Sequence, residues 1–126
     1  MSGGGLTNVD IPTTYQDSGA AAIITAGAGS KGSYLQLVAS TSARVKRIVL
    51  QLYVNTADNY RVDIATGGAG SEVVLIGNIQ CNYNSAVGPA TVSFSYDVIV
   101  PAGTRIAARA QAGAANTIGC SVQLGE

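Results

Sequence analysis

The chain reads as an all-β protein: an antiparallel β-sandwich of about eight strands, jelly-roll-like, with an extended N-terminal arm. Three observations carry that reading. Apolar and polar residues alternate with period two through a series of short segments, the pattern of strands buried on one face. Between the segments lie Gly-, Ser- and Asn-containing links, which is turn chemistry. No segment sustains an apolar period of 3.6, so no amphipathic helix is expected.

Residues 1–19 form the expected arm. Pro12 excludes a helix there, and Leu6, Val9, Ile11 and Tyr15 stand as isolated apolar anchors among polar residues. Residues 20–126 form the sandwich domain. Its first strands are expected at Ala20–Ala26 and at Tyr34–Ala39, the latter with Leu35 and Leu37 on one face. The longest is Val45–Val54, where Ile48, Leu50, Leu52 and Val54 alternate with Arg47, Val49, Gln51 and Tyr53. Tyr60–Ala65 alternates in the same way. Glu72–Ile79 is more continuously apolar, which predicts a central strand or one under a neighbour. The Asn82–Pro89 link is long enough to cross between sheets. The last strand is Thr117–Leu124, with Ile118, Cys120, Val122 and Leu124 facing one way.

Between these lie two period-two runs joined by Pro101-Ala102-Gly103. Proline suits the first position of a three-residue loop and glycine the left-handed one that closes it, so a hairpin is predicted. In that register Val100 meets Thr104, Val98 meets Ile106, Tyr96 meets Ala108 and Phe94 meets Ala110. Arg105 and Arg109 then flank Asp97 on the other face. An immunoglobulin-like sandwich is the alternative architecture. The absence of tryptophan and the Cys81–Cys120 spacing argue against it.

With 126 residues the chain is one domain. Only 11% of residues are charged, and seven basic residues balance seven acidic ones, so no electrostatic capture of nucleic acid or anionic membrane is expected. Such a sparsely charged, small-residue surface suits burial in an assembly, and equally suits a simple Ala/Gly bias. No apolar run reaches membrane-spanning length. Met1-Ser2-Gly3-Gly4-Gly5 lacks the plan of a signal peptide, and synthesis in a host cytoplasm is expected. Cys81 and Cys120 are expected as two reduced thiols, at least one in the core.

Three motifs need weighing. Gly27-Ala28-Gly29-Ser30-Lys31-Gly32 matches G-x-G-x-x-G, but a strand follows it instead of a helix. No acid occurs between Asp17 and Asp58, so it reads as a turn and no cofactor is expected. Thr66-Gly67-Gly68-Ala69-Gly70-Ser71 lacks the Lys-Ser/Thr of a phosphate loop and reads as a long hairpin loop. Arg44-Val45-Lys46-Arg47 is either a solvated strand start or a grip on an acidic partner. Catalysis is not expected. Without histidine there is no Ser-His or Cys-His pair, no metal ligand set stands out, and nothing in the sequence brings Asp63, Glu72 and Asp97 together.

Tyr60-Arg61-Val62-Asp63-Ile64-Ala65-Thr66-Gly67, then Gly70-Ser71-Glu72-Val73-Val74, then Val100-Pro101-Ala102-Gly103-Thr104-Arg105-Ile106-Ala107-Ala108-Arg109, in this order, resemble small structural proteins of tailed bacteriophages. The likeness covers residues 58–111 and transfers no catalytic residue. It implies a virion component, most simply a capsid decoration (cement) protein. Such a protein would sit on the outer surface of the head, bind the major capsid protein and assemble as a homo-oligomer, a trimer. Leu6, Val9, Ile11, Tyr15, Arg44, Lys46 and Arg47 are the expected capsid contacts. The alternative is a fibre or tail module that binds host-surface glycan through the aromatic-amide clusters Asn59-Tyr60 and Asn82-Tyr83-Asn84.

Overall fold

In the computed structural model, which describes residues 11–19, 21–84 and 90–126, the alternating segments are strands of two facing sheets. In chain order they are β1 (Tyr15–Asp17), β2 (Ala22–Thr25), β3 (Gly27–Ala28), β4 (Leu35–Val38), β5 (Arg47–Val54), β6 (Asp58–Thr66), β7 (Val73–Tyr83), β8 (Ala90–Tyr96), β9 (Ile106–Ala112) and β10 (Thr117–Gly125). In the first sheet β1 and β2 both pair with β10, β10 pairs with β5 and β5 with β8. In the second, β3 and β4 pair with β9, β9 with β6 and β6 with β7. Every pairing is antiparallel except the two-residue β3 alongside β9.

Setting aside the short β1 and β3, the strands pair as a nested hairpin: β2 with β10, β4 with β9, β5 with β8, β6 with β7. Rolling that hairpin lays β10 beside β5 and β9 beside β6. This is jelly-roll connectivity, as the sequence predicts. The core lies between the sheets, where alternate residues of each long strand meet. Ile48, Leu50, Leu52 and Val54 of β5 and Ile118, Cys120, Val122 and Leu124 of β10 are buried from one side. Tyr60, Val62 and Ile64 of β6 and Ile106, Ala108 and Ala110 of β9 are buried from the other. Both cysteines are free and buried, and burial pushes the Cys120 thiol up to about 12.

The hairpin across Pro101-Ala102-Gly103 does not form. β8 lies in the first sheet, with Phe94 opposite Leu50 and Tyr96 opposite Ile48. β9 lies in the second, with Ala108 between Ile64 and Leu35. Val100 bridges Val45, not Thr104. Gly103 does adopt the expected left-handed backbone, φ 77°. The turn, however, carries the chain from one sheet to the other and is clamped by buried Thr41. Thr41 donates its Oγ1 hydrogen to the Pro101 carbonyl at 2.7 Å, and its own carbonyl accepts from Gly103 N at 2.8 Å. Alternation says which residues face inward, not which sheet they face inward from, and both arrangements satisfy it.

Two further expectations change. Glu72–Ile79 is not central: among the described residues β7 has a strand, β6, on one side only, and Val73 and Val74 are 69% and 41% exposed. Asp97 meets neither Arg105 nor Arg109; it accepts a 2.7 Å bond from Arg47 Nε. β7, which runs on to Tyr83, and β8, which starts at Ala90, lie in different sheets; residues 85–89 of the expected Asn82–Pro89 link lie outside the described residues.

Candidate functional site

The outer face of the second sheet carries a buried charge cluster. Alternation on β6 points Asp63 outward, away from the core, yet the residue is only 2% exposed. Its neighbours come from three other elements. Arg109, opposite it on β9, donates from Nε to Oδ2 at 2.9 Å. Lys31, from the loop after β3, donates from Nζ to both carboxylate oxygens at 2.9 Å and to Asn78 Oδ1 at 2.8 Å. The backbone N–H of Asn78 donates to Asp63 Oδ1 at 2.8 Å. Asn78 itself sits at φ 54°, beside a register shift in the β6–β7 ladder. Tyr34 covers the cluster, its ring centroid 4.6 Å from the Arg109 guanidinium carbon. Burial alone would raise the Asp63 pKa. The Asn78 amide, Lys31 and Arg109 together outweigh it and hold the carboxyl below its ordinary range.

A second pair lies just before β7 and β9 of the same sheet. Arg105 donates to Glu72 Oε2 at 3.1 Å, to the Gly67 carbonyl at 3.1 Å and to Gln36 Oε1 at 2.9 Å. Of the five charged residues in the three phage-like stretches, four therefore pair among themselves: Asp63 with Arg109 and Glu72 with Arg105.

The G-x-G-x-x-G loop is what delivers Lys31. A Cβ on Gly27 would stand 2.1 Å from the Ser30 carbonyl oxygen and 2.8 Å from Gly32 N, and one on Gly32 would stand 2.8 Å from the Thr25 carbonyl oxygen. These glycines permit close backbone packing. Gly27→Ala is expected to open the loop and destabilise by about 1–3 kcal/mol, the cost of overpacking, read as a lowered denaturation midpoint. Gly29→Ala meets open space and tests only the φ of 75°.

The other sequence-singled residues are scattered. Leu6 and Val9 lie outside the described residues. Ile11, Tyr15 and Arg44 are exposed, and Lys46 is half-buried. The structure brings Tyr15 and Arg47 together on the outer face of the first sheet, in register on either side of Gly125. Hydrogen bonds to Asp97 and Tyr15 hold the Arg47 guanidinium firmly protonated. Neither glycan cluster offers a ring to solvent: Tyr60 and Tyr83 are buried, and Tyr60 Oη donates to the Thr56 carbonyl at 2.7 Å. Tyr83 Oη is buried with no partner among the described residues. An open cleft of about 410 Å³ between β2 and β4 is lined by Ile23, Thr25, Gly32, Tyr34 and Leu35, with no acid or base in its wall.

Sequence reasoning missed Lys31, Asn78 and Asp58. Asp58 accepts from Gly113 N, Ala114 N and Asn116 Nδ2 at 2.8–3.2 Å and so pins the β9–β10 turn. An Asp at the start of a strand was the available signal for Asp58. A lone Lys in a glycine loop carries none.

No family model matches the chain, and no curated protein matches its sequence. Among solved structures it is similar to a chain in the structure of the infectious bursal disease virus Gx strain, at 10% identity and a TM-score of 0.40. The match covers 90% of this chain and 32% of that one, so this chain spans about a third of the other's length. A likeness that remote bears on neither ancestry nor role.

Proposed function

We propose that the chain is a structural protein of a tailed-bacteriophage virion, a decoration protein that binds the outside of the head and bridges neighbouring capsid subunits. One observation supports this most directly. The three stretches that resemble phage structural proteins lie on β6, β7, β9 and their turns, and their two acids pair with two of their three arginines. A pattern whose charges hold each other is a scaffold signature, which fits a family defined by a body rather than by a reactive site. The sparse, balanced charge leaves few ions to desolvate on docking. The glycan-binding alternative loses its two clusters, because both rings are inside the fold.

In this reading the major capsid protein is the partner, and Leu6, Val9, Ile11, Tyr15, Arg44, Lys46 and Arg47 are the contact set. Residues 13–18 are tied to β10 and the C-terminus by backbone bonds, among them Thr13 N to the Glu126 carbonyl at 3.1 Å and Ser18 N to the Val122 carbonyl at 2.9 Å. Deleting residues 2–10 therefore leaves β1 in place. The full chain is expected to co-sediment saturably with undecorated heads, in many copies per head. The deletion should weaken that binding at least about tenfold, or ~1.4 kcal/mol, with the melting curve unchanged. Absence of head binding by the full chain, together with block of host adsorption by free protein, would replace this reading with the fibre module.

A further inference from the structure

Sheets guard their free edges by brevity, bulges, charge or proline. β2 and β4 are four residues each, and the β4 ladder is irregular between Gln36 and Val38. β7 has eleven residues, but its register with β6 shifts twice and Asn78 bends it. β8 has none of these protections. Its seven residues, Ala90-Thr91-Val92-Ser93-Phe94-Ser95-Tyr96, run in unbroken register with β5 and include no charge, proline or glycine. Among the described residues nothing pairs with its other side. Thr91, Val92, Ser93 and Ser95 are exposed, while Phe94 and Tyr96 are half-buried and stacked, with centroids 6.4 Å apart.

We propose that β8 pairs antiparallel with β8 of a second copy about a twofold axis through Ser93, joining two five-stranded sheets into one. An open row of backbone N–H and C=O groups fits a strand before any other occupant. The sequence is complementary to itself in this register. On the inward row Val92 meets the partner's Phe94 and Ala90 meets the partner's Tyr96, small against large. On the outward row Thr91 meets the partner's Ser95, and hydroxyl faces hydroxyl. No like charges meet, because the strand has none. Moving the axis to Phe94 would set ring against ring, and moving it to Val92 would leave Tyr96 without a strand residue opposite. This inference goes beyond the decoration reading and does not depend on it. A twofold contact builds dimers; the trimer that the phage resemblance implies would need another surface.

The full chain should sediment as a concentration-dependent dimer. Ser93→Lys, which sets two ammonium groups face to face at an exposed position, should weaken the dimer at least tenfold with an unchanged circular dichroism spectrum. Under mild oxidation Ser93→Cys should cross-link to a covalent dimer. Ser95→Cys should not, since its opposite is the partner's Thr91. The native thiols, Cys81 and Cys120, are buried and do not confuse the result. A monomer at all concentrations, a trimer, a dimer indifferent to Ser93→Lys, or equal cross-linking at positions 93 and 95 would each overturn the proposal.

Discussion

Asp63→Ala is expected to lower the stability of the fold by roughly 3 kcal/mol, the low end for removing one partner of a buried ion pair. The carboxylate takes hydrogen bonds from Lys31, Arg109 and the Asn78 amide. Alanine strands the Arg109 and Asn78 N–H donors and leaves Lys31 held to the β7 bend by its bond to Asn78 Oδ1 alone. The low end applies because the Lys31 and Arg109 side chains, 18% and 30% exposed, can turn partly toward water. Denaturant midpoints of Asp63→Ala, Lys31→Met and the double variant measure the coupling directly; additive losses would mean that the cluster contributes nothing as a unit. The same group sets an acid dependence. Its folded pKa lies below the unfolded value of about 3.9, so the folded state binds fewer protons there than the unfolded chain does. Its contribution is therefore full above that value and is lost as pH falls through the folded pKa. Asp63→Asn should flatten the decline of stability below about pH 4; an unchanged slope would assign that decline to other carboxylates.

Tyr60→Ala is expected to cost roughly 3–5 kcal/mol, because the ring is fully buried between the sheets and its removal leaves a cavity. Tyr60→Phe keeps the ring and loses the hydroxyl's bonds to the Thr56 carbonyl, at 2.7 Å, and to Asn116, so about 1 kcal/mol is expected. The pair also separates two roles for the Asn59-Tyr60 cluster. A structural ring yields a melting temperature that falls steeply for alanine and slightly for phenylalanine. A glycan-stacking ring would leave the alanine variant stable and remove binding.

Much of the fold is legible along the chain because period-two alternation is a local consequence of the pleat. It marks Ile48, Leu50, Leu52 and Val54 as inward, and the structure buries all four. The αL position of Gly103 is equally local, set by the chemistry of Pro-Ala-Gly. Strand partnership is different in kind. β8 and β9 are adjacent in sequence, carry compatible alternation and are joined by a good hairpin turn, yet they pair with β5 and β6. Their hydrogen bonds are satisfied equally well in either arrangement, and only closure of two sheets over one core chooses between them.

The charge cluster shows the same division. Alternation places Asp63 and Arg109 on the outside of their strands, which is correct. By itself that outward position predicts a weak exposed pair. Burial comes from Lys31 in a loop, from Asn78 in a bent edge strand and from the Tyr34 ring, brought together across 32 residues of chain from Asp63 to Lys31 and 15 to Asn78. From sequence alone come the class of fold, the inward residues and the turn glycine, because each depends on neighbours within a few positions. Which strands are partners, which edge is left open and which carboxylate is buried were decided only in the tertiary structure, because each depends on surfaces that do not exist until the two sheets close.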